Sequence, residues 1–245
     1  MVITGEVGSG KTTLIRKLLI DINDSATIGL LSHAAYKFNE LLEWILSVYG
    51  IEYTSGSKVE QYQKLINFIN KEFSQNRLCI LIIDEAQNLD LDALEQLRML
   101  TNLNTENGQK LQLILSGQPE LLSKLRQPEL SQFAQRVSVQ YHIEPLAKDE
   151  CVSYIKHRLS IAGDRLDIFD TAACIMIWYY SRGIPRVINS ICDLSLVYGY
   201  AEQKNTIDTE IIRAVMQDRK SGGLFLELLD DNKIEKLFTG EGIQL

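Results

Sequence analysis

Near the start of the 245-residue chain, Gly5-Glu6-Val7-Gly8-Ser9-Gly10-Lys11-Thr12 fits the pattern G-x-x-x-x-G-K-[ST]. Glycines at this spacing let backbone N–H groups curl around phosphate oxygens, and a helix that begins just after them adds its partial positive charge. Lys11 is then placed to neutralise the β and γ phosphates of a nucleotide and the Thr12 hydroxyl to ligate Mg²⁺, with Thr13 ending the nucleotide-binding run. By composition alone the pattern arises in about 1% of chains this long. The plain alternative, a Gly-rich turn that happens to precede a helix, is disfavoured by the short apolar strand before it and the helix after it.

Seventy-three residues after Lys11, the apolar run Cys79-Ile80-Leu81-Ile82-Ile83 ends in Asp84-Glu85. A strand of this kind is buried in the middle of a parallel sheet, and both acids would project at its carboxyl edge, where ligands of such sheets bind. Asp84 is placed to hold Mg²⁺, and Glu85 to orient and deprotonate an attacking water. An acid pair that merely starts the next helix is the competing reading, and it weakens beside the Gly-rich loop. A second strand ends Leu115-Ser116-Gly117-Gln118-Pro119, where Gln118 could bond the γ-phosphate or the water, although polar residues finish most strands.

The elements that must position these groups follow from alternating patterns. Strands are expected at Val2–Thr4, Thr27–Leu31, Leu78–Ile83, Leu111–Ser116 and Val137–Ile143, with helices at Thr12–Asn23, Phe38–Tyr49, Val59–Ser74 and Leu91–Leu103. That is an α/β fold: a parallel five-stranded sheet with helices on both faces, spanning residues 1–146. After Pro145 the strand signal stops. Helical stretches at Lys148–Ala162, Asp170–Ser181, Pro185–Glu202 and Asp208–Arg219 predict a small helical domain over 147–219. Ser221-Gly222-Gly223 then breaks the pattern, leaving a tail (220–245) with apolar clusters at Leu224–Leu229 and Ile234–Phe238, either a disordered end or a docking segment.

Charge and composition narrow the partners. Net charge is −7, divided as −4, −1 and −2 over the three segments, so none has the basic stripe of a nucleic-acid-tracking surface. The opening Met1–Gly10 lacks the basic start and apolar run of a secretory signal, and no apolar run approaches the ~20 residues that span a bilayer. The expected location is therefore cytoplasmic, at most peripheral at the cytoplasmic face of the inner membrane. Cys79, Cys151, Cys174 and Cys192 form no C-x-x-C pair and are read as buried thiols, and His33, His142 and His157 show no metal spacing.

The runs TGEVGSGKTT, IIDEAQNLDLDALEQLRMLTNL, SGQPEL, FAQRVSVQYHIEPL, YIKHRLSIAG and SRGIPRVINSICD together resemble the AAA+ ATPase domain of the general secretion pathway protein A family. ATPases of exopolysaccharide and pilus systems share it, and the ATPase regulators of transposition are more distantly similar. The resemblance runs from Val2 to about Arg219, in family order. It implies a ring-forming P-loop ATPase whose helical domain is a lid, using ATP and Mg²⁺ and serving envelope export or secretion machinery. It supports Lys11 and Thr12 for nucleotide and metal, Asp84 and Glu85 for metal and water, and Gln118 as the sensor at the strand end. Arg136 falls at the arginine-finger position, which reaches into a neighbouring subunit's site, and Arg186 at the lid's sensor position. A guanidinium suits both, because it donates paired hydrogen bonds to phosphate and stays charged.

The chain departs from the family at both ends. Family members carry several tens of residues before the first strand, and many continue past the lid into a membrane span, whereas here Met1 to Thr4 alone precede Gly5. The expectation is an open adenine side, with weak and poorly selective ATP binding, in a stand-alone form or a fragment. Three readings stay open from the residues: an oligomeric ATPase powering envelope export, a DNA-associated ATPase switch, and a nucleotide-dependent scaffold with little turnover. Charge favours the first over the second, and the presence of Glu85 and Arg136 favours it over the third.

Overall fold

The computed structural model describes residues 1–22, 26–32, 38–52, 57–104, 108–163 and 165–221. His33 and the apolar clusters of the tail lie outside them. Packing divides the chain into Met1–Ile143 and Glu144–Leu245.

The first unit is built on five parallel strands: β1 (Val2–Gly5), β2 (Ala26–Leu31), β3 (Leu78–Ile83), β4 (Leu111–Gly117) and β5 (Gln140–Ile143). Their order in the sheet is β2-β3-β4-β1-β5. Strand alternation divides the core into two layers. Cys79, Leu81 and Ile83 of β3 face one side with Leu111, Leu113 and Leu115 of β4, while Ile80 and Ile82 face the other with Ile3 and Ile114. With both faces buried, the inner strands read as continuous apolar runs.

Helix α1 (Lys11–Asp21) covers the second layer through Ile15, and α2 (Phe38–Val48), α3 (Lys58–Ser74) and α4 (Leu91–Thr101) cover the first. α2 does so with Leu41, Ile45 and Leu46, and α3 with Leu65 and Ile69, the i, i+4 stripe of an amphipathic helix. α3 starts on a reciprocal cap in which the Glu60 N–H donates to Ser57 Oγ and the Ser57 N–H to Glu60. Asp90 caps α4 by accepting from the Ala93 N–H at 2.7 Å.

Two short helices, α5 (Glu120–Leu125) and α6 (Ser131–Ala134), were not legible from periodicity. β5 starts at Gln140, three residues later than the expected Val137. The N–H groups of Arg136 and Val137 turn back onto the carbonyls of Phe133 and Ala134, which holds that stretch off the strand ladder.

The second unit is helical: α7 (Lys148–Gly163), α8 (Thr171–Ser181), α9 (Pro185–Ala201) and α10 (Thr209–Ser221). Ile155, Met176, Ile177, Ile188, Ile191 and Ile212 form its core. Pro185 opens α9 at its first turn, where a missing N–H costs nothing. Residues 144–146 pack with this unit and not with the sheet. The Leu146 N–H donates to the Gly183 carbonyl (2.9 Å), and the Leu146 carbonyl accepts from Trp178 Nε1 (3.0 Å). Gly183 sits at φ 72°, and a Cβ there would fall 2.2 Å from the Leu146 oxygen, so the α8–α9 turn requires glycine.

Candidate nucleotide-binding site

The carboxyl ends of β1, β3 and β4 meet at one edge of the sheet, and each delivers chemistry there. β1 ends at Gly5, and the loop turns into α1 through Gly10, whose φ of 103° would strain any side chain. Lys11, the first residue of α1, is buried, and its Nζ donates to the loop's own carbonyls at Gly5 (2.7 Å) and Glu6 (2.9 Å). Burial lowers the affinity of this amine for its proton, while the acidic groups of Glu85, Asp84, Glu6 and Glu120 pull the other way.

Thr12 Oγ1 donates to Asp84 Oδ2 at 2.8 Å, so the loop and the end of β3 are already in contact. The other oxygen, Asp84 Oδ1, accepts from Ser116 Oγ at 2.8 Å and from the Glu85 N–H at 3.0 Å. Ser116 lies on β4, the strand between β1 and β3 in the sheet, and is fully buried. It is a site residue that sequence reasoning passed over, as Gln87 is. Its signal was a hydroxyl at the end of the apolar run Leu113-Ile114-Leu115, beside Gln118.

Glu85 adopts a left-handed backbone (φ 54°), the kind of local strain that clusters at functional sites. Its Oε2 accepts from Gln87 Nε2 at 2.6 Å and from Gln118 Nε2 at 3.5 Å. Gln87 belongs to a 3₁₀ turn at Ala86–Asn88, so the acid pair and the end of β4 share one polar cluster.

The residues expected to act together thus divide into groups. Lys11, Thr12, Asp84, Glu85 and Gln118 converge. Glu6 and Val7 are exposed in the loop, Gly8 and Ser9 complete it, and Thr13 is exposed on the first turn of α1. Arg136 is elsewhere: it precedes β5, whose Gln140 pairs with Val2 at the start of β1, so it lies at the amino edge of the sheet. There its Nη1 donates to Thr101 Oγ1 (2.9 Å) and to Asn102 Oδ1. Arg186 is exposed in the first turn of α9, in the helical unit.

The loop and its neighbours fit a nucleotide's phosphates and a divalent cation. Ser9 Oγ is buried without a hydrogen-bond partner, an orphaned polar atom inside the loop that phosphate oxygens would satisfy. Thr12 and Asp84 offer hard oxygen donors, which suit Mg²⁺. The four cysteines are free thiols: burial pushes Cys79 and Cys151 up to about 12 and Cys174 to about 11, far from reactivity at neutral pH. Among the described residues no helix is long and apolar enough to cross a membrane.

Known proteins place this geometry. A family model described as an AAA domain matches residues 1–125, half of the chain. General secretion pathway protein A of Aeromonas hydrophila is 36% identical over 208 residues, which is 84% of this chain and 38% of that protein, so the chain spans well under half of this relative. Among solved structures, Cdc6p from Pyrobaculum aerophilum matches with a TM-score of 0.66 at 18% identity, over 89% of this chain and 60% of that one. The ADP form of the ORC2 protein of Aeropyrum pernix matches with a TM-score of 0.63 at 16% identity, over 88% and 61%. At such identities the likeness is one of fold. The sheet order, the phosphate loop and the matched first half agree, and the chain belongs to the AAA family of P-loop nucleotide-binding domains, as a relative of general secretion pathway protein A.

Proposed function

We propose that this chain is an ATPase that hydrolyses ATP to ADP and phosphate as an oligomer, and that its nucleotide cycle drives assembly or remodelling of an envelope export system. The observation that carries the hydrolytic part is Glu85, a carboxylate held by Gln87 at 2.6 Å beside the Asp84–Thr12 pair. On this reading the loop N–H groups and Lys11 bind the phosphates, Lys11 exchanging its bonds to the Gly5 and Glu6 carbonyls for phosphate oxygens. Thr12 and Asp84 hold Mg²⁺, which when bound withdraws charge from the phosphates. Glu85 takes the proton of the attacking water, and Gln118 orients the water or the γ-phosphate. The export role rests on the likeness to general secretion pathway protein A.

Arg136 lies at the opposite edge of the sheet from its own loop, which supports a role in a neighbouring subunit's site. Arg186, at the start of α9, is assigned to the nucleotide by resemblance. The reading as a DNA-associated switch draws on a fold neighbour, the Aeropyrum pernix ORC1 protein in complex with DNA. A chain of net charge −7 gives that reading less support than the export role receives.

The test is phosphate release by the purified full chain with and without Mg²⁺, beside binding of a fluorescent ATP analogue. Glu85→Gln should bind as the wild type does and lose at least about 100-fold in turnover, the usual contribution of a general base. Undiminished turnover in Glu85→Gln would remove this residue from the mechanism.

A further inference from the structure

Gln87 is one amide with two ends in use. Its Nε2 donates to Glu85 Oε2 at 2.6 Å, and its Oε1 accepts from the Gln118 N–H at 3.0 Å. Its backbone is fastened as well, because Lys124 Nζ donates to the carbonyls of Gln87 and Leu89, both at 2.6 Å. The end of β4 leaves room for it: a Cβ on Gly117 would fall 2.8 Å from Gln87 Oε1. The side chain therefore spans from the carboxylate that ends β3 to the backbone that follows β4, with geometry that fixes which amide atom faces which partner.

Resting on the hydrolytic reading above, we propose that Gln87 is a positioning residue for the Glu85 carboxylate and ties it to the Gln118 turn, so that a shift of Gln118 at the nucleotide re-aims Glu85. The direct bond between Gln118 and Glu85 is long, 3.5 Å, so Gln87 is the stronger of the two links. Glu85 has a left-handed backbone and three further rotatable bonds, so without the Gln87 amide its carboxylate has no short side-chain bond among the described residues to hold its aim. An aim lost by an ångström at the reacting atoms is enough to cost large factors in rate.

The test uses Gln87→Glu in the full chain. This substitution keeps shape and keeps an acceptor for the Gln118 N–H, but sets a second carboxylate oxygen where the donor to Glu85 stood. The expected result is a kcat lowered by about 10- to 100-fold with KM and nucleotide affinity within about threefold of wild type. The swapped pair Glu85→Gln/Gln87→Glu restores an amide–carboxylate bond with its direction reversed, and should be no slower than Glu85→Gln alone, because two residues acting through one step are not additive. Wild-type kcat in Gln87→Glu, beside an inactive Glu85→Gln, overturns the proposal and leaves the ATPase reading standing. A wild type with no turnover overturns the ATPase reading instead, and the tie is then judged by melting. Gln87→Glu should melt lower by about 2 to 4 °C and the swapped pair should recover to within about 1 °C of wild type; melting of all three variants with no coupling between positions 85 and 87 overturns the tie.

Discussion

Among the described residues Ser116 and Ser195 are both wholly buried with different roles, and removing each hydroxyl isolates what the charge of Asp84 contributes. Ser116 Oγ donates to Asp84 Oδ1 at 2.8 Å, a charge-assisted bond, whereas Ser195 Oγ donates to the Ile191 carbonyl at 2.7 Å, one turn back in α9. Ser116→Ala leaves a buried carboxylate oxygen with the Glu85 N–H as its remaining donor among the described residues, at a cost of about 1.5 to 3 kcal/mol. Ser195→Ala loses a neutral bond worth about 1 kcal/mol and regains about half of that in helix propensity. The difference is therefore about 1 to 2.5 kcal/mol. Each unit holds one tryptophan, Trp44 in the first and Trp178 in the second. Urea unfolding in Trp178→Phe and Trp44→Phe backgrounds thus reads each unit separately by fluorescence. Ser116→Ala should also weaken the Mg²⁺ requirement of nucleotide binding by about tenfold, because Asp84 loses the contact that sets its orientation. Equal losses at both serines, or an unchanged Mg²⁺ dependence, would refute the assignment of Ser116 as the support of Asp84.

Arg136→Ala should be inactive alone but regain part of its turnover on mixing with Lys11→Ala, since some interfaces then pair an intact arginine with an intact loop; mixtures that never exceed the sum of the two rule out action between subunits. Glu72 should govern part of the acid stability of the first unit. The Arg77 guanidinium and then the Thr27 hydroxyl bond its carboxylate and hold it down at about 2, against 4.5 for an ordinary glutamate. A lowered folded-state value means that this stabilisation is complete above about pH 4.5 and is lost as pH falls toward 2, so Arg77→Gln should move the acid-unfolding midpoint upward. An unmoved midpoint would show that the pair contributes nothing measurable.

The parts of the site with the strictest chemistry were the most legible. A phosphate loop needs its glycines and its lysine at fixed spacing, and a metal-holding acid needs an apolar strand to carry it, so Gly5–Thr12 and Asp84-Glu85 stand out in the sequence. Ser116 and Gln87 do not, because each owes its role to a partner far along the chain, and a hydroxyl at a strand end or a glutamine in a turn looks ordinary. The same limit applies to the sheet. The five strands were readable from their apolar runs, but the insertion of β4 between β1 and β3 is a property of long-range pairing. Helices as short as α6 carry too few residues for a period to emerge.

The placement of β1 between β4 and β5 has a consequence for biosynthesis. Gly5 pairs alongside Ile143, so the strand that carries the phosphate loop waits for the last strand of its unit before both of its neighbours exist. At about 5 to 20 residues per second on the ribosome, the wait is on the order of 10 to 30 seconds. Until β4 is made, Val2 and Ile3, destined for opposite core layers, have no neighbouring strand to pair with, and after that β1 is flanked on one side alone until β5 follows. β2 and β3 lack this problem, because they pair with each other along six residues once β3 is made. The nascent chain can therefore bring β2, β3 and β4 together and seat β1 on β4, while the other side of the strand that carries the phosphate loop stays open until β5, more than 130 residues further along, is made.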